Sequence, residues 1–142
     1  MGERYWARLV LRECDVTPEV RAALEAGGPY DEGPAVEDGM VRVVGYERWW
    51  GEFSTLEEKL VALGVAFDRY SESNPPVERR FRPGRDGKPS VDVEIPQVDG
   101  EAFVLLSELR KLLQNCKDYI SLHEGLSQLV KKREPVPPLD SD

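Results

Sequence analysis

A chain of 142 residues has the length of one domain and can bury roughly two thirds of the surface its unfolded form exposes, so it needs no disulfide or metal staple to fold. Lys and Arg number 19 against 27 Asp and Glu, a net charge of −8 that opposes long-range attraction to nucleic acid or anionic membrane. Cys14 and Cys116 are too isolated for a disulfide framework or a zinc-ligand pair, and no stretch approaches the roughly 18 apolar residues of a membrane span.

Tyr5, Ala7, Leu9 and Leu11 alternate with Trp6, Arg8, Val10 and Arg12, which predicts a first strand with one buried face from Arg4 to Glu13. The start, Met1-Gly2-Glu3-Arg4-Tyr5, meets Arg8 and Arg12 before an apolar run develops, unlike a signal peptide, so the expected location is cytoplasmic. Thr17-Pro18-Glu19 supplies an N-cap, a proline for the first helical position and an early acid, and Gly27-Gly28 stops the helix. Between Cys14 and Met40 stand seven carboxylates and one base, Arg21, so much of the negative charge lies in one segment. Residues Pro29 to Gly39 offer almost no apolar anchor and read as a mobile surface loop.

A second strand is expected from Met40 to about Tyr46. Ser54-Thr55-Leu56-Glu57 has capping-box spacing before a helix whose apolar face is Leu56, Leu60 and Leu63 and whose end is Gly64. A meander follows: Val65 to Tyr70, Val77 to Arg82 and Ser90 to Ile95, the last two joined by a turn containing Asp86-Gly87. From Asp99-Gly100-Glu101 onward, Leu105, Leu109, Leu112, Leu113, Cys116, Tyr119 and Ile120 recur at helical spacing. An unbroken helix to Lys132 would be about 47 Å long, longer than a compact domain of this size is wide, which favours two helices meeting between Asn115 and Ser121.

The order β-α-β-α-β-β-β-α-α implies an α+β fold, a mixed and mostly antiparallel sheet of about five strands with helices packed on one face. Residues 1–132 form the single expected domain, and 133–142 are expected to be a disordered, Pro-rich acidic tail. Within it, Lys132-Arg133-Glu134-Pro135-Val136-Pro137-Pro138 has the spacing of a short proline motif, although a plain tail is the better reading.

Chemistry-bearing motifs are scarce. The single histidine, His123, has no ligand partner at suitable spacing, so no metal is expected. Cys116 lies seven positions before it, about 10 Å along a helix, too far for direct proton transfer. Glu25-Ala26-Gly27-Gly28-Pro29 follows a helix instead of opening one, so no phosphate loop and no cofactor are indicated.

Tyr46, Arg48, Trp49 and Trp50 fall where a strand ends; consecutive tryptophans on an extended backbone cannot both face inward, so either one is exposed or a bulge or turn buries both. These residue types are enriched at interface hot spots. With the acidic Asp31, Glu32, Glu37 and Asp38 they form the expected partner-binding set. Arg80, Arg82, Arg85 and Lys88 are a possible anion-binding set on a hairpin, although alternation puts Arg79 and Phe81 on the opposite face.

The expected function is therefore a small non-enzymatic protein-interaction module, an adaptor, regulator or inhibitor, whose partner is another protein of basic or nucleic-acid-binding character. Direct contact with nucleic acid or membrane is not favoured, and a homodimer through the C-terminal helices is possible. One alternative is a phage or plasmid counter-defence inhibitor whose carboxylates mimic nucleic-acid phosphates. Another is a small enzyme or ligand-binding domain that uses an open sheet face shared by Asp68, Glu78, Asp92, Glu94, Arg8, Arg80 and Arg82.

Overall fold

The structure is a computed structural model that describes residues 2–140. Its elements are β1 (Arg4–Arg12), a 3₁₀ turn over Glu13–Asp15, α1 (Pro18–Gly27), β2 (Glu32–Glu37), β3 (Met40–Trp49), α2 (Ser54–Leu63), β4 (Phe67–Ser71), β5 (Val77–Arg82), β6 (Val91–Pro96), α3 (Leu106–Asn115) and α4 (Tyr119–Arg133). The six strands form one sheet in the order β2-β3-β1-β4-β5-β6, an α+β fold in which every pairing is antiparallel.

The extra strand is β2, in the segment expected to be a loop. Asp38 and Gly39, with φ of 51° and 74°, make a tight turn in which both central residues are left-handed, and this folds Glu32–Glu37 back on β3. All six residues of β2 are exposed. An edge strand with both faces in water needs no apolar alternation, so the period-two signal is missing although the backbone pairs.

Strand register fixes the faces. Leu9 pairs with Arg69 and Arg69 with Arg79, while Val10 pairs with Asp68 and Asp68 with Arg80. The first set shares the face covered by α1 and α2. There Ala7, Leu9, Leu11, Val43 and Phe67 pack against Val20, Leu24, Phe53, Leu56 and Leu60. Each fully buried Leu or Phe contributes about 1.5–3 kcal/mol from removing apolar surface from water. Thr17 caps α1 by accepting the Val20 N–H at 3.2 Å. Gly64 ends α2 at φ 68°, and its N–H and that of Val65 bond back to Val61 and Leu60.

The open mixed-charge face does not exist as expected. Asp92 and Glu94 lie on the helix-covered face, whereas Arg8, Asp68, Glu78, Arg80 and Arg82 lie on the other, because odd and even positions of paired strands point oppositely. Nor is that second face open over β4 and β5. The segment expected to be disordered crosses it: Arg80 donates to the Val136 carbonyl at 2.7 Å, Arg82 to the Pro137 carbonyl at 2.8 Å, and the Leu139 N–H donates to Asp68 at 2.7 Å. Val136 and Leu139, two side chains of this strap, are buried. Two apolar side chains and a set of polar partners, none visible in local composition, place it against the sheet; residues 141–142 lie outside the described residues.

Two helices occupy the C-terminal region. Asp118 caps α4 by accepting the Ser121 N–H at 2.8 Å, so the break falls at Cys116–Asp118. Asp99-Gly100 makes a turn closed by a Val98–Glu101 bridge, and α3 starts only at Leu106. Neither α3 nor α4 contains a buried residue.

Candidate partner-binding surface

The end of β3 is irregular. Ala7 pairs with Gly45 but Tyr5 pairs with Arg48, so two residues, Tyr46 and Glu47, oppose the single Trp6. Such a bulge re-aims side chains that regular alternation would place elsewhere. Beyond it the chain turns sharply at Trp50 and Gly51, with φ of 57° and 66°. The Gly51 N–H donates to Arg48 O at 3.0 Å, the Glu52 N–H to Trp49 O at 3.1 Å, and the Trp50 N–H to Glu3 O at 2.8 Å.

This geometry answers how two consecutive tryptophans are accommodated. Tyr46, Trp49 and Trp50 are 53 %, 51 % and 57 % exposed, so both indoles face outward. They converge beside the N-terminal segment, where a Cβ added at Gly2 would lie 2.9 Å from the Trp49 ring and 3.1 Å from the Trp50 ring. The Arg4 guanidinium sits 4.3 Å from the centre of the Trp49 ring, with the Glu47 carboxylate 3.9 Å from it. A bulky residue in the left-handed region costs about 1 kcal/mol or more.

Charged neighbours divide into two groups. Asp31 accepts the Tyr46 N–H at 2.6 Å, and its own N–H donates to Val44 O at 2.9 Å. Glu32 lies beside the Tyr46 phenol and, through its negative charge, pushes the phenol above its ordinary value. Glu37 and Asp38 are at the far end of the hairpin, and the nine steps from Met40 to Trp49 put about 30 Å between that end and the tryptophans. Glu37 lies 3.6 Å from Arg42 there. The fourfold acidic set is thus two separate pairs, and only Asp31 and Glu32 border the aromatic patch.

Arg48 belongs to the support instead of the surface. Its guanidinium lies 4.5 Å from the centre of the Phe53 ring and its Nε donates to Glu52 O at 3.3 Å. It turns inward because Gly45, on the same face, leaves room for its chain: a Cβ at Gly45 would come within 2.4 Å of Arg48 Cδ.

Beneath the turn is a buried ion network that local patterning conceals. Glu57 and Arg69 are both 2 % exposed. One Glu57 oxygen accepts the Phe53 N–H at 2.5 Å; the other accepts Arg69 Nε and Arg79 Nη1, each at 3.1 Å. Arg69 also donates to Ser71 Oγ at 2.6 Å, and that hydroxyl donates to the Gly51 carbonyl at 2.5 Å. The chain of contacts therefore runs from the N-terminus of α2 through β4 to the tryptophan turn. Glu57 completes the half of the expected capping box that reaches back to a backbone amide, although the cap residue is Phe53 and not Ser54.

Of the possible anion-binding residues, Arg80 is buried and bonded to Glu78 at 2.6 Å and Glu134 at 3.1 Å, and Arg82 to Asp68 at 2.7 Å. Both guanidiniums are thus engaged by the chain's own acceptors. Arg85 and Lys88 are exposed on the β5–β6 turn, apart from them. A cleft of about 360 Å³ lies beside α2, lined by Glu52, Ser54, Glu57, Glu58, Val61 and Arg79, but its Glu57 and Arg79 hold each other. Cys14 is exposed and Cys116 half-buried, and the His123 ring lies against Tyr119, with centroids 6.1 Å apart.

No protein-family model, curated protein or solved structure matches this chain.

Proposed function

We propose that this protein is a non-enzymatic interaction module that grips a basic segment of a partner protein with Tyr46, Trp49 and Trp50, bordered by Asp31, Glu32 and Glu47. The observation that carries this reading is the tryptophan turn: two half-exposed indoles held on a left-handed turn by a buried ion network. Strain maintained by surrounding structure concentrates where function needs a fixed geometry. The stacking of Arg4 on Trp49 beside Glu47 displays the chemistry the patch accepts, a guanidinium over an indole with a carboxylate alongside. Aromatic anchors of this kind supply most of an interface's affinity. The separation of Glu37 and Asp38 from Asp31 and Glu32 favours this reading over mimicry of a phosphate backbone.

The test is a fluorescence titration of the tryptophans with an arginine-rich peptide and a glutamate-rich peptide of equal length. The arginine-rich peptide alone should bind, more weakly as salt rises. Trp50→Ala should lower its affinity about 30-fold, the change expected on truncating a hot-spot residue worth about 2 kcal/mol. Equal binding of both peptides, or an unchanged affinity for Trp50→Ala, would overturn the proposal.

A further inference from the structure

The C-terminal helices form a finished hairpin with unfinished outer faces. Within it, Arg133 pairs with Glu108 across the helices, and Gly125 lets them approach so closely that a Cβ there would meet Leu112 at 2.7 Å. Glu108 also accepts the Leu105 N–H at 3.0 Å, which fixes the start of α3. The pair is therefore preformed. Yet Leu106, Leu113, Tyr119, Ile120, Leu126 and Val130 are all exposed, by 38 % to 78 %. Exposed apolar side chains gathered on one hairpin in this way mark an interaction surface more often than a solvated one.

We propose that a second copy of this chain covers these faces, its α3–α4 hairpin packed against the first as an antiparallel four-helix bundle about a two-fold axis near Ser127. Three observations select this occupant. Tyr119, His123, Leu126 and Val130 recur at i, i+4, i+7 and i+11 along α4 with no Asp, Glu, Lys or Arg among them, so self-association strands no such charge in the seam. Glu124 and Lys131 both lie to one side of that stripe, one step beyond Ser127, both exposed, seven positions apart and without an ion-pair partner among the described residues. They are about 10 Å apart along their own helix, too far to pair there. An antiparallel dimer sets Glu124 of each copy opposite Lys131 of the other. It also holds the Lys131-Lys132-Arg133 ends of the two copies apart, whereas a parallel pairing would juxtapose them.

Sedimentation velocity of the full chain from 1 to 100 µM tests the proposal. The wild type should sediment as a dimer, and Leu126→Lys should shift the equilibrium toward monomer at least tenfold. Glu124→Lys and Lys131→Glu should each weaken the dimer about two- to fivefold, as exposed ion pairs do, and the double reversal should restore it. Far-UV circular dichroism checks that each variant keeps its helices, and Trp50→Ala, which probes the other surface, should leave the dimer intact. A wild-type monomer at 100 µM would overturn the proposal, as would a dimer indifferent to Leu126→Lys or a double reversal that fails to restore it. Binding of the monomer to phosphatidylserine vesicles through this face would assign it to a membrane surface instead, and so would also overturn it.

Discussion

Replacing Glu57 by Gln should destabilise the protein by about 3–5 kcal/mol, the cost of removing one partner from a buried ion pair and leaving the other uncompensated. The residue it abandons is Arg69, 2 % exposed, whose next carboxylate is Glu52 at 3.7 Å. Arg79 suffers less because Asp92 still holds it at 2.7 Å. At roughly 3–4 °C per kcal/mol for a domain of this size, the melting temperature should fall by about 10–20 °C. Urea unfolding monitored by tryptophan fluorescence gives the free energy. Arg69→Met should cost a similar amount, and the double substitution should cost at least 1 kcal/mol less than the sum of the singles, because neither charge is then left alone. The network also holds Gly51 through Ser71, so Glu57→Gln should weaken the near-ultraviolet dichroism of the tryptophans before unfolding begins. Additive singles, or a loss below 1 kcal/mol for Glu57→Gln, would refute the view that Glu57 and Arg69 act as one unit.

Further outcomes follow from individual sites. Gly51→Ala and Gly39→Ala both place a side chain at positive φ, but the Gly39 Cβ would meet nothing within 4 Å whereas the Gly51 Cβ would lie 2.7 Å from that of Ser71. Thermal melts should show a cost of about 1 kcal/mol at Gly39 and clearly more at Gly51; equal costs would contradict the crowding inferred at the turn. Truncation after Arg133 removes Val136 and Leu139 from the sheet and strips partners from Arg80, Arg82 and Asp68, and should lower stability by about 3–5 kcal/mol. An unchanged urea midpoint would mean the strap contributes nothing. Asp92 is held below the usual carboxylate range by its hydrogen bonds from Arg79. Because its folded value is lowered, its contribution is present above the unfolded pKa and lost as pH falls through the folded one. Asp92→Asn should therefore reduce stability at pH 7 by under about 1 kcal/mol, given its partial exposure, and converge with wild type at acid pH; a constant difference down to pH 2 would exclude that linkage.

Segments whose local chemistry and packing agree were legible in the sequence. Thr17, Pro18 and Gly27 bracket α1, the alternation of β1 places Leu9 and Leu11 in the core, and the Val77–Arg82 strand has the bounds expected of it. The division of the C-terminal helices followed from their summed length against the size of the domain. Trp49 and Trp50 were recognisable as a pair that extended backbone could not bury. Their neighbour Arg48 turns inward over Phe53, because Gly45 opens a path that alternation does not reveal.

What the sequence determined alone is the α+β class, the cap and stop of α1, the Gly64 end of α2 and the inward face of β1. Each rests on interactions within a few residues or on a periodicity that water enforces. Tertiary structure alone decided that β2 pairs at the edge, that residues 134–140 lie against β4 and β5, that Arg69, Arg80 and Glu57 are buried, and that the acidic set is split about 30 Å apart. Those outcomes depend on partners far apart in the chain: Leu139 meets Asp68, Arg79 meets Glu57, and Ser71 meets Gly51. A charged side chain reads as surface until the acceptors that bury it are brought to it by the fold.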